Sequence, residues 1–282
     1  MSGQPGWLHV AKKDLQDSAR SKLLLGVIGV LLVLSVVLSA VPYLVGDTGS
    51  DGAEFAAALF QTPIGIFLPV LAAMIGYMAI VQERESGSIR VLLGLPLRRS
   101  DVVVGKVIGR SIVIVGALLV TGLIGTVLMF ALYGSVEWQQ MAAFGILGGV
   151  LSVVYVAVAI AVSASVSSRG KAMGLIVAIL LVLVYAYQYL VLGLVRIVEG
   201  SWTLENVPDY ALLLLSLDPN VAGSRAAGYL FSADIGDPLE GVAGESAQLP
   251  FYAEQWTAFP VIVLWIVVPL AIGYYRFGKA DL

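Results

Sequence analysis

Between Val81 and Lys106 the chain reads VQERESGSIRVLLGLPLRRSDVVVGK, which gathers Glu83, Arg84, Glu85, Arg90, Arg98, Arg99, Asp101 and Lys106 between neighbours that are almost wholly apolar. Carboxylates and guanidinium groups in such density form short, directional, charge-assisted hydrogen bonds, the kind that grips a soluble protein surface. The plainer use of the same charges is to solvate a loop and to hold Arg98, Arg99 and Lys106 against anionic lipid headgroups. Acids gain nothing from such headgroups, so Glu83 and Glu85 point to a protein partner.

Composition excludes several other chemistries. The chain has no cysteine, which removes thiol nucleophiles, disulfides and thiolate metal sites. His9 is the only histidine, so a histidine-rich metal site and a Ser-His-Asp triad are both out of reach, and a solvated interfacial place is expected for it. A loop that cradles phosphates needs the pattern G-x-x-x-x-G-K-[ST]. SSRGKAMG supplies Gly170 and Lys171 without the upstream glycine or the following hydroxyl, and GKVIGR fails likewise. No cofactor or metal is therefore expected in this chain, nothing points to nucleic acid, and energy must come from a partner or not be used.

The elements that must position the charged stretch are membrane helices. Of the 282 residues, 59% are hydrophobic and 12% charged, against roughly 45 to 50% and 25% in a soluble domain. A bilayer core takes about 20 apolar residues per helix. The expected fold is an all-α, polytopic membrane protein with six transmembrane helices, Leu23 to Val45, Gln61 to Val81, Val107 to Tyr133, Met141 to Val166, Ala172 to Val195 and Trp256 to Tyr275. Kinks are expected at Pro63, Pro69, Pro260 and Pro269. The start MSGQPGWLHVAKKDLQDSARSK leads into an apolar run too long for a signal-peptide core, so it reads as a retained segment.

Charge sets the orientation. With both termini cytoplasmic, all of the 16 Lys and Arg residues except Arg196 and Arg225 fall on the inner side, while most of the 19 acids lie outside. This is the positive-inside pattern, and an odd number of spans destroys it. The whole of 1–282 then forms one transmembrane domain in the cell membrane, with an interfacial segment at 1–22, a cytoplasmic loop at 82–106 and an outer loop at 196–255. The acidic outer face fits an external cation partner, a high-salt habitat, or the mirror image of the basic inner side.

Within the inner loop, Ile89, Leu92 and Leu93 share one helical face, and Leu95 before Pro96 ends that short amphipathic helix. Ser100 is the expected cap of the next helix, with Asp101 in its first turn. Gly105 and Gly109 give a small face that lets another helix approach closely, and Lys106 and Arg110 can reach up to lipid phosphates. In the fifth span, Tyr185, Gln188 and Tyr189 either line a translocation path or form an interfacial aromatic belt. In the outer loop, Asp218 and Pro219 read as the N-cap and first residue of an amphipathic helix through Arg225 and Tyr229. That helix lies across the outer mouth or dips into it as a gate, or only packs on the bundle.

The ordered series Glu83, Glu85, Gly87, Ser88, Leu92, Leu93, Pro96, Arg98 or Arg99, Gly105 and Lys106 resembles the cytoplasmic loop signature of type-2 ABC exporter permeases, with Ser88 where threonine is usual. VAKKDLQDSARSKLLLG is similar to that family's interfacial helix, and LLLLSLDPNVAGSRAAGYLF to the segment before the last span, notably in permeases of the nitrous-oxide-reductase maturation type. The resemblance implies a non-catalytic permease subunit that pairs with a separate cytoplasmic ATPase, which would hold ATP and Mg, and that forms a homodimer or joins a second permease. It also implies that Glu83, Arg84, Glu85, Gly87, Ser88, Arg90, Pro96, Arg98 and Arg99 belong to a coupling helix docked on the ATPase. The rival readings are a membrane scaffold for a cytoplasmic partner and a secondary carrier, the latter disfavoured by span interiors without charge.

Overall fold

A computed structural model of the chain describes residues 5–89, 97–136, 138–200, 207–231, 237–243 and 249–279, and the described residues are helical with no strand. Helix α1 (Gly6–Ala19) is amphipathic and precedes α2 (Lys22–Ser39), which passes through a turn at Ala40 into a short helix at Val41–Leu44. Helix α3 (Ser50–Gly76) is followed by the short α4 (Val81–Glu85). Next come α5 (Arg99–Tyr133) and α6 (Trp138–Ser165). Helix α7 (Arg169–Leu180) runs through a π-helical turn at Leu181–Ala186 into α8 (Tyr187–Glu199). The outer segment contributes α9 (Asp209–Ser216) and α10 (Pro219–Phe231), and α11 (Ala258–Gly278) closes the chain.

Five of these stretches are long and apolar enough to cross a membrane, and Ile28–Leu44 is a shorter apolar one. This is the expected polytopic bundle of about six spans. The boundaries differ. The second span begins at Ser50 rather than Gln61, because Asp51 in its first turn complements the helix dipole and lets the helix extend outward. The third begins at Arg99, and its cap is Arg98 rather than Ser100: the backbone N–H of Arg98 donates to Asp101 Oδ2 at 3.0 Å. Pro63, Pro69 and Pro269 stay inside continuous helices, while Pro260 sits in the first turn of α11, where no N–H is required. The expected amphipathic helix through Leu92 and Leu93, with Arg90 and Pro96, lies outside the described residues.

Helix α6 is the central post. Its small and β-branched residues Val154, Val156, Ala157, Ala159 and Ile160 are fully buried, because α3, α5, α10 and α11 all pack around it. The outer faces of α2, α5, α8 and α11 instead expose residues such as Val33, Leu123, Leu190 and Val267. In water such faces are unstable; in a bilayer they are the lipid surface.

The outer segment is not a surface cap. Helices α9 and α10 form a hairpin whose turn reaches the interior. Tyr155, about 25 Å along α6 from Trp138 at 1.5 Å per residue, donates its hydroxyl to Asn220 Oδ1 at 2.9 Å. Trp265 Nε1, within α11, donates to Leu217 O at 2.8 Å. Asp218, placed among the outer acids by the charge pattern, is 5% exposed. Its Oδ1 accepts from Asn220 N and Nδ2 at 2.7 and 2.9 Å.

Candidate functional site

The charged stretch is bound into the cytoplasmic end of the bundle. Helix α1 presents Trp7, Val10, Ala11 and Asp14 along one face, the spacing of neighbours on a helix. That face lies along the start of α5, because Gly105 and Gly109 carry no side chain there. A Cβ on Gly105 would meet Trp7 O and Val10 Cβ at 2.7 Å, and one on Gly109 would meet Ala11 O at 2.8 Å.

This close approach places Asp14 against two cations of α5. Arg110 Nε lies 2.9 Å from Asp14 Oδ2, and Lys106 Nζ lies 3.5 Å from Asp14 Oδ1. Lys106 is bound more tightly from the other side by Glu83 Oε1 at 2.7 Å. Lys106 is 4% exposed, so it does not reach up to lipid phosphates as expected. Two carboxylates hold it because an unpaired ammonium in this setting is far more costly than a paired one.

Arg84, Glu85 and Arg99 of the stretch, and Arg110 just beyond it, end on helix termini. The last carbonyls of a helix have no partner within it and carry partial negative charge, and the first N–H groups are the reverse. Arg110 Nη1 donates to Ile75 O at the end of α3. Arg84 Nη1 donates to Val166 O just past α6 at 2.9 Å. Arg99 Nη1 donates to Phe277 O and Gly278 O at the end of α11, at 2.6 and 2.7 Å, and its guanidinium lies 5.5 Å from the Phe277 ring centroid. Glu85 does the opposite at the start of α7: its Oε1 accepts from Arg169 N at 2.7 Å, and its Oε2 pairs with Arg169 Nε at the same distance. Where the chain breaks between α3 and α4, Ser163 Oγ accepts the N–H groups of both Ile80 and Val81 at 3.0 Å.

Within the single chain, Glu83, Arg84 and Glu85 each have a partner, and Glu85 stays exposed at the surface. Their hydrogen-bonding groups are largely engaged within the chain, fastening the loop to spans two through five, while Arg99 fastens it to span six. Gly87 turns the loop with φ +74°, a conformation suited to glycine. The hydroxyls of Ser86 and Ser88 lie 2.9 Å apart beside it and are exposed. Asp14, Arg110 and Ser163 complete the arrangement, and Asp14 and Ser163 were missed in the sequence. The periodic face Trp7, Val10, Ala11, Asp14 was readable, but its docking place was not.

The other candidates are separate. Tyr185, Gln188 and Tyr189 are exposed on the outside of the bundle, Tyr189 at 76%, so they line no path inside a single chain. Arg225 does not face a mouth: it is 2% exposed, its Nε pairs with Asp237 at 2.9 Å, and its Nη2 donates to Ala253 O. Asn220, missed in the sequence, links the hairpin turn to Tyr155 and, through Nδ2 at 3.0 Å, to Leu183 O in the π-helical turn.

A bundle of apolar spans whose inner loop is tied to the ends of five of them defines a polytopic helical membrane protein. The chain belongs to the ABC-2 transporter family: the family model described as "ABC-2 family transporter protein" matches residues 8–282. It is 27% identical over 281 residues to the "Probable ABC transporter permease protein NosY" of Stutzerimonas stutzeri, across 96% of this chain and 97% of that protein. It is also 28% identical over 153 residues to the protein of the same name from Pseudomonas aeruginosa, across 52% of this chain and 56% of that one. The protein is thus a multi-pass permease of the cell membrane.

Proposed function

We propose that this chain is the non-catalytic membrane subunit of an ATP-driven exporter, working as a dimer of permease chains with a separate cytoplasmic ATPase that holds ATP and Mg. The observation that carries the proposal is the fastening of residues 80–110 to the inner ends of spans two, four, five and six through Arg110, Arg84, Glu85 and Arg99. A load applied to this loop by nucleotide-driven closure of a partner reaches five helices at once, with little compliance between. Rigid tilting of packed helices is a recognised way to turn a local push into a change of access.

In this reading the outer hairpin α9–α10 closes the external side. Its turn must withdraw from Tyr155, Leu183 and Trp265 before a solute can leave.

Co-expression with a P-loop ATPase, expected in the neighbouring coding sequence, followed by purification, tests the assignment. The expected result is a stable complex whose ATP hydrolysis changes several-fold when Glu83 and Glu85 are both replaced by Lys. Failure of the two chains to associate would leave a scaffold or a secondary carrier as the account.

A further inference from the structure

Beside the ion-paired node is a cavity of about 510 Å3, within the range of about 300 to 1,000 Å3 typical of small-molecule sites. Its walls divide by chemistry. Leu71, Met74, Ile75 and Met78 of the second span form one side, and Met74 is 42% exposed on the outside of the bundle. Asp14, Asp17, Glu83, Lys106 and Arg110 form the other, and Ser18 of α1 and Ser86 and Ser88 of the loop also line it.

The charges are unequal. Three carboxylates face two cations, and both cations are already held by Asp14 and Glu83. Asp17 is exposed and has no ion-pair or hydrogen-bond partner among the described residues. Glu83 Oε2 is withdrawn from solvent and likewise accepts nothing. A carboxylate oxygen buried without a donor is costly; a small turn of the Glu83 side chain brings it to the cavity, where a donor carried by a ligand removes that cost. Among the described residues of this cavity, an anion finds no free cation.

We propose that this cavity binds an amphiphile bearing an ammonium group, its nitrogen between Asp17 and Glu83 and its apolar part along Leu71, Met74 and Met78. The ammonium chemistry fits two sources, an aminophospholipid of the inner leaflet or a soluble alkylamine. Binding here does not require coupling to an ATPase, so it stands or falls separately from the exporter reading. An occupant touches Glu83 and Ser88, and so bears directly on the loop.

Photolabelling of the full chain in phosphatidylcholine nanodiscs, without nucleotide, tests the site with a dodecylammonium probe carrying a diazirine and a carboxylate probe of the same length. The ammonium probe is expected to label peptides spanning residues 14–21 and 71–88 at least fivefold more than the carboxylate probe. Excess unlabelled dodecylammonium is expected to suppress that labelling. The exposed substitution Asp17→Asn should reduce it several-fold, and Met74→Trp, which fills the cavity from its rim, should abolish it. Suppression by added phosphatidylethanolamine assigns the site to a lipid headgroup; persistence assigns it to a soluble amphiphile. Equal labelling by the two probes, or labelling spread evenly over the spans, overturns the proposal.

Discussion

Lys106 carries the clearest consequence at the scale of single residues. It is a cation 4% exposed, held by Glu83 at 2.7 Å and by Asp14 at 3.5 Å. Replacing it with Met leaves Glu83 without its cation and Asp14 with Arg110 alone. Breaking one side of a buried ion pair costs roughly 3 to 5 kcal/mol, and the lower end applies because Glu83 keeps 25% of its side chain exposed. Lys106→Met should therefore unfold at markedly lower temperature than the native chain in the same detergent, as read by circular dichroism. The double variant Lys106→Met, Glu83→Gln should recover part of the loss, with Asp14 kept because it also pairs with Arg110. Such pairings were invisible in the sequence because Asp14 and Lys106 are 92 positions apart. The charge of Lys106 was legible, but its partners were fixed by the docking of α1.

Elements follow the same division. Apolar length alone marked where helices cross, but nothing in LVLVYA announced a π-helical turn at Leu181–Ala186, since the segment holds neither Gly nor Pro. Such turns free a carbonyl for an outside partner, and here Leu183 O receives Asn220 Nδ2. The depth of the hairpin was hidden for a related reason: Asp218 and Pro219 give the same local signal at a surface or in a core. Asn220→Leu removes the partners of the Tyr155 hydroxyl and of Leu183 O, at about 1 to 3 kcal/mol for each buried group left unsatisfied. Hydrogen exchange should then rise by tenfold or more across residues 181–186 and 217–222, with little change in α1. Gly105→Leu is the counterpart at the other end. Overpacking of about 1 to 3 kcal/mol should lift α1 from α5, and cleavage after Lys12 and Lys13 by trypsin should quicken several-fold while α6 stays protected.

For the whole molecule, the distribution of charge predicts the orientation. Arg98, Arg99, Lys106 and Arg110 cluster with Arg169 and Arg276 at one end, because moving such groups across the bilayer is costly. The chain has no cysteine, so single cysteines report sidedness without background. An impermeant maleimide on intact cells should label Ser135→Cys and Phe251→Cys, and should reach Ser86→Cys and Gly278→Cys only after permeabilisation.

The central claim is that Glu83 serves as a fastener of the loop and not as a contact for the ATPase. ATP hydrolysis by the purified complex in vesicles tests this by comparing Glu83→Lys, Lys106→Glu and the exchange that carries both. If the pair transmits force, each single change should lower coupled hydrolysis at least fivefold, and the exchange should restore half or more. If the exchange is as impaired as Glu83→Lys alone, the carboxylate is needed by the partner and the account is wrong.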